Sequence, residues 1–319
     1  MSTLDSSPSP TAIPEGARRL TVVGVPSVAQ RKPEWMKRHI PLAGPTYREL
    51  KKTMRGASLH TVCEEAACPN IHQCWEQREA SFLIGGEDCT RRCGFCQIAT
   101  GKPKAYDTDE PRRVADAVEE MGLHFAVVTG VARDDLPDGG AWLYAETARQ
   151  IHQRLPHCGV ELLIPDFSGD EAALREIISA RPEVLAHNLE TVRRVFRHTR
   201  PAFRYDRSLE VLARTRDWAP EIARKSNLIL GMGETEAEVY GAMDDLAEVG
   251  CQILTIGQYL QPTHKHLALQ RYATPEEYDR YRVYGASLGM DHVEAGPLVR
   301  SSYMAGNQAI SAGAWIRPA

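Results

Sequence analysis

From about residue 81 onward, short apolar runs alternate with amphipathic helical segments, and this alternation is the strongest constraint on the fold. In one helical segment, Val114, Ala117, Val118 and Met121 recur on a single face at intervals of three and four residues. Strands joined by such helices form βαβ units and pair in parallel. Six or seven units predict a complete or partial α/β barrel rather than a doubly wound sheet. The predicted strands are Ser81–Ile84, Phe125–Thr129, Val160–Ile164, Val184–His187, Asn227–Leu230, Gln252–Ile256 and His292–Glu294.

Polar and small residues follow the predicted strands, at the end where a parallel barrel carries its chemistry. For Thr191 and Thr235 an alternative is helix capping, because each precedes a predicted helix. His187 either contacts a site at this end or is an ordinary buried histidine. Five polar loops at equivalent places favour a functional site. The loops are 129–135, 165–167, 188–191, 231–235 and 258–259.

Six of the eight cysteines lie between Cys63 and Cys96 and form two triplets with unlike spacing. The triplets are Cys63, Cys68 and Cys74 (C-x4-C-x5-C) and Cys89, Cys93 and Cys96 (C-x3-C-x2-C). A chain of 319 residues does not need disulfides in order to fold. In a reducing compartment, clustered cysteines indicate metal or redox chemistry. Cys158 and Cys251 are isolated, and we expect them to be buried structural thiols.

The spacing of the second triplet favours an iron–sulfur cluster over other cysteine sites. Structural zinc takes four ligands, commonly as two C-x2-C-like pairs, and only Cys93 and Cys96 form such a pair. Neither triplet has the C-x4-C-x2-C spacing of plant-type ferredoxins. A thioredoxin-like interpretation of Cys93 and Cys96 leaves four cysteines unexplained. Three thiolates on one short loop fit a cubane cluster with one iron open to another ligand.

Several residues near cysteines or in polar loops have competing interpretations. Arg91 and Arg92 would place positive charge beside the thiolates and favour their ionisation. Phe95 either shields a cluster or is an ordinary core residue. His264 and His266 could bind a metal, but a solvated loop is the expected state of this segment.

Composition argues against several classes of function. A formal net charge of −4 and a pI near 6.3 argue against a surface that binds nucleic acid. The sequence has no apolar run of about 18 residues, so no membrane span is predicted. The first residues lack the basic and apolar regions of a secretory signal, which predicts a cytoplasmic location. Residues 1–30 begin with a stretch rich in Ser and Pro and are predicted to be a disordered tail.

The segment CTRRCGFC (89–96) resembles the C-x3-C-x2-C signature of the radical S-adenosylmethionine (SAM) enzymes, in which SAM binds the fourth iron. Within that superfamily, the chain from about Arg31 to Tyr303 resembles the lipoyl synthase family. Two positions depart from the family pattern: Ala268, where members often carry proline, and Gly257, where threonine is more usual. The matching stretches are VCEEAACPNIHQCW (62–75), SFLIGGEDCTRRCGFC (81–96), VTGVARDDLPDGGA (128–141), ELLIPDF (161–167), LAHNLET (185–191), KSNLILGMGET (225–235) and GPLVRSSY (296–303).

This resemblance implies an α/β fold: a partial (β/α)6 TIM barrel of the radical SAM kind, with extensions at both ends. The barrel is expected at 81–290. An N-terminal extension at 31–80 would carry the first cysteine triplet. A C-terminal extension at 291–319 would carry the motif Arg300-Ser301-Ser302-Tyr303.

The resemblance also implies two 4Fe–4S clusters and SAM as cofactors. One cluster would bind SAM and cleave it reductively, and the auxiliary cluster would be consumed as the sulfur donor. The implied enzyme is a sulfurtransferase that inserts sulfur at C6 and C8 of an octanoyl chain on a lipoyl-domain lysine and uses two SAM per lipoyl group. The implied ligands are Cys89, Cys93 and Cys96 for the SAM-binding cluster, and Cys63, Cys68, Cys74 and Ser302, in preference to Ser301, for the auxiliary cluster.

Residues at the ends of the strands are the expected contacts of SAM and substrate. The loop that begins at Thr129 matches the family's contact to the methionyl part of SAM, and the glycines after residue 230 would allow close backbone approach to the nucleoside. The expected cofactor-binding residues are Phe95, Thr129, Gly130, Arg133, Asn188, Glu190, Gly231 and Met232.

The implied partners are octanoylated lipoyl domains or an H-type carrier protein of glycine cleavage, a ferredoxin or flavodoxin as the low-potential electron donor, and an iron–sulfur carrier protein. Neither nucleic acid nor membrane is expected. A biotin-synthase-like enzyme is the alternative within the same chemistry, but it should lack the first triplet and the terminal motif. A non-catalytic zinc module is the alternative from another class. It would contain zinc without acid-labile sulfide, whereas two clusters would give about eight irons per chain.

Overall fold

The computed structural model describes residues 32–37, 44–56, 60–65, 68–103 and 106–317, and the predicted tail at 1–30 lies outside the described residues. The strands are β1 (His60–Thr61), β2 (Glu79–Ile84), β3 (Asp88–Cys89), β4 (Ala99–Thr100), β5 (Phe125–Gly130), β6 (Gly159–Leu163), β7 (Val184–Ala186), β8 (Ala223–Leu230), β9 (Ile253–Gln258) and β10 (His292–Ala295).

Helices separate most of the strands. They are α1 (Pro45–Gly56), α2 (Val62–Glu65), α3 (Ile71–Glu76), α4 (Glu110–Glu120), α5 (Ala141–Arg154), α6 (Glu171–Ser179), α7 (Arg193–Thr199), α8 (Tyr205–Trp218), α9 (Glu236–Glu248), α10 (Pro275–Ser287) and α11 (Ala305–Ser311), with 3-10 turns at Glu34–Met36 and Phe167–Gly169. None of the helices in the described ranges is long and apolar enough to cross a bilayer.

The main sheet has the strand order β1-β2-β5-β6-β7-β8-β9-β10. β1 is antiparallel to β2, and the other seven strands are parallel. The edges of the sheet in the described part of the chain are β1 and β10, so the barrel is open. All seven predicted strands are present, which confirms the partial α/β barrel. The domain boundaries at 30/31, 80/81 and 290/291 stay predictions.

The core of the barrel follows the predicted apolar pattern. Val114, Ala117, Val118 and Met121 are all at most 1% exposed, which confirms the buried face of α4. At the other end of the chain, α11 and the residues after it close the N-terminal end of the barrel. Trp315 packs edge-on against Phe125 with ring centroids 5.2 Å apart, at the start of β5. The opposite, C-terminal end of the strands is therefore the one left for a site.

Helix capping, the alternative interpretation of Thr191 and Thr235, holds for one of the two residues. Thr235 caps α9: its Oγ1 accepts from the N–H of Glu238, and the Glu238 side chain accepts from the Thr235 N–H. The capping alternative is wrong for Thr191, because Val192 occupies the N-cap position of α7 and makes no side-chain hydrogen bond there. The Thr191 hydroxyl is buried and has no hydrogen-bond partner within the described ranges.

Candidate functional site

A cavity of about 650 Å³ lies at the C-terminal ends of the parallel strands. Its lining includes the second cysteine triplet and five of the residues predicted to bind a cofactor. The predicted residues in the lining are Cys89, Cys93, Cys96, Phe95, Thr129, Gly130, Asn188 and Glu190. Residues from distant loops complete the wall: Arg200, Phe203, Lys265, His266 and Ser301.

The cysteine loop is held at its ends and in its middle by backbone hydrogen bonds. β3 and β4 pair Cys89 with Thr100 and so close the loop that carries the three thiols. The Sγ of Cys89 accepts from the backbone N–H groups of Arg91 at 3.4 Å and Ala132 at 3.3 Å. In the middle of the loop, the Gly94 N–H donates to the Thr199 carbonyl at 2.8 Å. These hydrogen bonds attach the loop to the strands and loops around it.

Burial raises the pKa of two thiols in this loop, those of Cys93 and Cys96. Burial raises the pKa of Cys96 to about 12, and the neighbouring thiols Cys93 and Cys89 add to the shift. Burial also raises the pKa of Cys93, against the opposing positive charge of Arg200. Because cluster ligation requires thiolates, binding must release these protons, and the free energy of metal binding must cover that cost.

Arg91 does not supply the positive charge that the sequence analysis expected beside the thiolates. Its guanidinium donates to both oxygens of Asp134, at 2.8 and 2.6 Å, and to Asp166 at 2.5 Å. The hydrogen bond from Arg91 in turn holds the pKa of Asp134 below its usual value. Two carboxylates therefore neutralise Arg91, and the expectation is wrong for this residue. Arg92 is exposed at the cavity.

A buried polar network around Glu190 forms part of the cavity wall. Glu190 accepts from the Nδ2 atoms of Asn188 at 3.0 Å and Asn227 at 2.7 Å. Its backbone has φ = 70°, a region that non-glycine residues rarely adopt. Burial raises the pKa of Glu190, and the charge of Arg200 opposes the shift. Asn188 is 8% exposed, and its buried Oδ1 has no hydrogen-bond partner in the described part of the chain.

Three residues predicted to contact SAM lie behind the wall of this cavity. Arg133 pairs with both oxygens of Asp135 at 2.9 Å and donates to the Gly85 carbonyl at 3.0 Å. A Cβ on Gly231 would lie 2.3 Å from the Gln258 side chain, so packing already requires glycine there. Met232 is fully buried. The contacts of Arg133, Gly231 and Met232 with SAM stay predictions.

The loop at 261–268 contributes His266 to the cavity wall. The expectation of a solvated loop is wrong for His266, whose Nε2 lies 3.0 Å from the carbonyl oxygen of Cys96. His264 and Lys265 are exposed, as expected. A residue that the sequence analysis overlooked is Arg200, which stacks 3.7 Å above the Phe203 ring and donates to the Asn188 carbonyl. Arg200 lies in an arginine-rich stretch, so the sequence does not distinguish it from exposed arginines.

The first cysteine triplet lines a separate, smaller hollow together with Ser302. Cys63, Cys68 and Cys74 come from the N-terminal region, and Ser302 comes from the terminal motif. Ser301 lines the large cavity instead. Burial raises the pKa of Cys63 to about 11 and that of Cys74 to about 12. The two adjacent serines thus face different sites.

Two contacts bring the terminal motif to this hollow. The Nδ2 of Asn70, between Cys68 and Cys74, donates to the Leu298 carbonyl at 2.6 Å. On the other side, a Cβ at residue 257 would lie 2.2 Å from the Val299 carbonyl oxygen. The glycine found at position 257, where threonine is more usual in the family, therefore suits the close approach of this segment.

The donor chemistry of both sites fits iron–sulfur clusters. In the described ranges, no three or more His, Cys, Asp or Glu side chains lie close enough together to hold a single metal ion. All eight cysteines are free thiols, and thiolates are the usual ligands of such clusters. The second triplet opens on a cavity that can admit a further ligand, and the first has a serine hydroxyl beside it.

Comparisons with known proteins agree with this geometry. The radical SAM superfamily model matches residues 83–246, and the model of the N-terminal domain of lipoyl synthase matches residues 19–68. The lipoyl synthase of Mycobacterium sp. (strain KMS) is 58% identical over 298 residues, covering 93% of this chain and 91% of that protein. The lipoyl synthase of Corynebacterium kroppenstedtii is 55% identical over 304 residues, covering 94% and 87%.

Solved structures at low identity share the fold. HydG, a maturase of the [FeFe]-hydrogenase, superposes with a TM-score of 0.54 at 13% identity, over 84% of this chain and 67% of HydG. SuiB of Streptococcus suis superposes with a TM-score of 0.53 at 10% identity, over 71% of this chain and 52% of SuiB.

Proposed function

The chain belongs to the lipoyl synthase family of radical SAM enzymes, and from this premise we propose how its residues divide the insertion of two sulfur atoms into an octanoyl chain. The observation that carries the proposal is the separation of the two triplets. Cys89, Cys93 and Cys96 line the large cavity, whereas the first triplet lines the hollow with Ser302.

The two triplets hold two clusters of different function. When bound, SAM and the cluster on the second triplet supply the radical chemistry that breaks unactivated C–H bonds, and the auxiliary cluster supplies the sulfur. The protein must position the reacting carbons and keep water away from them. Leu83, Ile98 and Ile164 give the cavity an apolar wall suited to an alkyl chain. Phe95 packs against the apolar group around Met232 and also lines the cavity.

Ser302 is the proposed fourth ligand of the auxiliary cluster. Its position in the hollow of the first triplet supports it over Ser301. A serine oxygen is a harder ligand than a thiolate and releases iron more readily, which suits a cluster that is dismantled for its sulfur.

The polar wall of the cavity is the proposed binding surface for SAM. Thr129 and Gly130 lie at the end of β5, and Asn188 and Glu190 follow β7. Glu190 accepts from the Nδ2 of Asn188 and so holds the asparagine side chain in place at this wall.

The proposed substrate is an octanoylated lipoyl domain or H-type carrier protein. A ferredoxin or flavodoxin would supply low-potential electrons, and an iron–sulfur carrier protein would rebuild the auxiliary cluster. We propose a cytoplasmic location, where these partners and a reducing environment are available.

An anaerobic assay tests this function. The reconstituted protein is incubated with an octanoylated lipoyl domain, SAM and dithionite, and the domain mass is measured together with the 5′-deoxyadenosine formed. The wild-type protein should add two sulfur atoms to the domain, with loss of two hydrogen atoms once the two new thiols are oxidised to the disulfide. Cys93→Ala should abolish SAM cleavage. Cys68→Ala should still form 5′-deoxyadenosine but insert no sulfur. Cys158→Ala removes a buried thiol that lines neither the cavity nor the hollow and is the matched control.

Two results would refute the proposal. One is an unchanged domain mass with both clusters intact by iron and sulfide analysis. The other is normal lipoyl product from Cys68→Ala. Zinc without acid-labile sulfide in the isolated protein would instead favour the non-catalytic module.

A further inference from the structure

The guanidinium of Arg91 joins the cysteine loop to two other strand-end loops. Nε and Nη2 donate to Asp134, after β5, and Nη1 donates to Asp166, after β6. Nη2 also donates to the Ser168 Oγ at 3.0 Å. The side chain is 4% exposed and lies over the Phe203 ring, 4.4 Å from its centroid. Such an arrangement uses the planar fork of arginine, which lysine cannot reproduce.

The two carboxylates are themselves fixed by other contacts. Asp166 is fully buried and accepts from Arg207 Nε at 2.6 Å on its second oxygen. The backbone after it is strained, with φ = 42° at Phe167 and 55° at Ser168. Asp134 accepts from Thr90 Oγ1 at 2.7 Å. Both carboxylates that accept from Arg91 are therefore also held in place by other residues.

Backbone groups of the cysteine loop and of the loop after β5 orient the thiol of Cys89. Thr90 N–H donates to the Ala132 carbonyl at 3.0 Å, and Ala132 N–H donates to the Cys89 Sγ at 3.3 Å. The Arg91 N–H donates to the same sulfur at 3.4 Å. Displacement of the Arg91 side chain therefore moves the donors that orient this sulfur.

We propose that Arg91 is a positioning residue, whose fork between Asp134 and Asp166 holds Cys89 against the loop that follows β5. The inference deepens the proposed function, because it takes Cys89 to be a ligand of the SAM-binding cluster. Its action is geometric: the charge of Arg91 is neutralised by its partners, so a residue with the same charge and a different shape does not replace it.

The test compares Arg91→Lys and Arg91→Gln with the wild-type protein. Arg194→Lys is the matched control, since Arg194 makes the same two-point contact with Glu238 on the surface. Two measurements on the full chain do not depend on turnover. One is the electron paramagnetic resonance spectrum of the reduced protein with and without SAM. The other is the rate of alkylation of Cys89 in the metal-free chain, followed by peptide mass spectrometry.

We expect Arg91→Lys and Arg91→Gln to behave alike. Both should alter the spectrum that SAM induces and alkylate Cys89 several-fold faster, while SAM cleavage falls by about 100-fold, the scale of a misplacement of about 1 Å. Arg194→Lys should match the wild type. If circular dichroism shows that either Arg91 variant is unfolded, Asp134→Asn, which weakens one contact of the fork, should give the same changes to a smaller degree.

Several outcomes would overturn the proposal. Rescue of all properties by Arg91→Lys would mean that charge, not shape, matters. Wild-type spectra and alkylation in folded Arg91→Gln, or in Asp134→Asn where the Arg91 variants do not fold, would mean that the fork does not position Cys89. A wild-type protein that inserts no sulfur, while Arg91→Lys still accelerates alkylation of Cys89, would refute the proposed function and leave the positioning role standing.

Discussion

Asn70 and Leu298 are joined by a hydrogen bond of 2.6 Å, from the Nδ2 of one to the carbonyl of the other, across 228 positions of the chain. Asn70 is 2% exposed and lies between two cysteines of the first triplet. Leu298 lies four residues before Ser302. The bond therefore connects the two segments from which the proposed auxiliary site is assembled.

Substitution of Asn70 should weaken the auxiliary site without affecting the other. Asn70→Ala removes a buried hydrogen bond worth about 1 kcal/mol and leaves the Leu298 carbonyl unpaired. We expect faster loss of iron from the auxiliary site and less sulfur insertion, with normal formation of 5′-deoxyadenosine. The control is Asn307→Ala, an exposed asparagine on α11. Equal loss of SAM cleavage and sulfur insertion would count against a local effect.

Ser302 and Ser301 should differ in their effect on iron content. Ser302→Ala removes the proposed oxygen ligand, so the auxiliary cluster should lose iron during anaerobic gel filtration and insert no sulfur. Ser302→Cys offers a thiolate that holds iron more firmly, and sulfur insertion should become slower while the iron content is kept. Ser301→Ala should keep the iron content of the wild type. Loss of iron from Ser301→Ala but not Ser302→Ala would reverse the assignment.

The barrel could be predicted because its signals are local. Apolar faces such as that of α4, and the runs that became β2 and β5 to β10, are visible in short windows of sequence. The partners of Arg91, by contrast, lie 43 and 75 positions away, at Asp134 and Asp166, and no local pattern distinguishes a neutralised arginine from a free one.

The placement of the serines illustrates the same limit. Ser301 and Ser302 are adjacent and chemically identical, and only the path of the backbone past Gly257 and Asn70 sends them to different sites. The two alternatives for Thr191 could not be separated by sequence either, because the start of α7 one residue later decides between them.

Gly94 should not tolerate a side chain while Leu267 is present. A Cβ at residue 94 would lie 2.7 Å from the Leu267 Cγ. Gly94→Ala should therefore shift the cysteine loop and reduce SAM cleavage, and overpacking of this kind costs about 1–3 kcal/mol in the free energy of unfolding. The double variant Gly94→Ala/Leu267→Ala should recover part of the activity relative to Gly94→Ala.

The single variant Leu267→Ala completes the double-mutant cycle. It measures the free energy of unfolding that is lost with the leucine side chain, about 2–5 kcal/mol. If the effects of the two single changes on the free energy of unfolding are strictly additive, the clash does not determine the position of the loop.

His187 should make the metal-free chain less stable in mild acid. Burial, together with the charge of Arg200, lowers the pKa of His187 to about 4. An unfolded histidine has a pKa of about 6.5, so between these values the unfolded chain binds a proton that the folded chain does not. The free energy of unfolding therefore falls as pH falls through this window, by at most about 1.4 kcal/mol per pH unit from this residue.

His187→Gln should show a smaller loss of stability between about pH 7 and about pH 5 than the wild type, measured by urea unfolding. His198→Gln removes an exposed histidine and should leave the wild-type pH dependence unchanged. Equal slopes for His187→Gln and wild type would contradict the prediction.

The hollow shared by the first triplet and Ser302 has a consequence for the order of events during translation. The cysteines of the second triplet lie within eight consecutive residues, and their loop can meet its barrel contacts before synthesis ends. The hollow cannot close until residues beyond 300 have left the ribosome, because Ser302 and the Asn70 contact at Leu298 come so late. Chains released before these residues would carry a barrel without this hollow, so the scaffold that receives the sulfur-donating cluster forms only after the segment at 298–302 has been made.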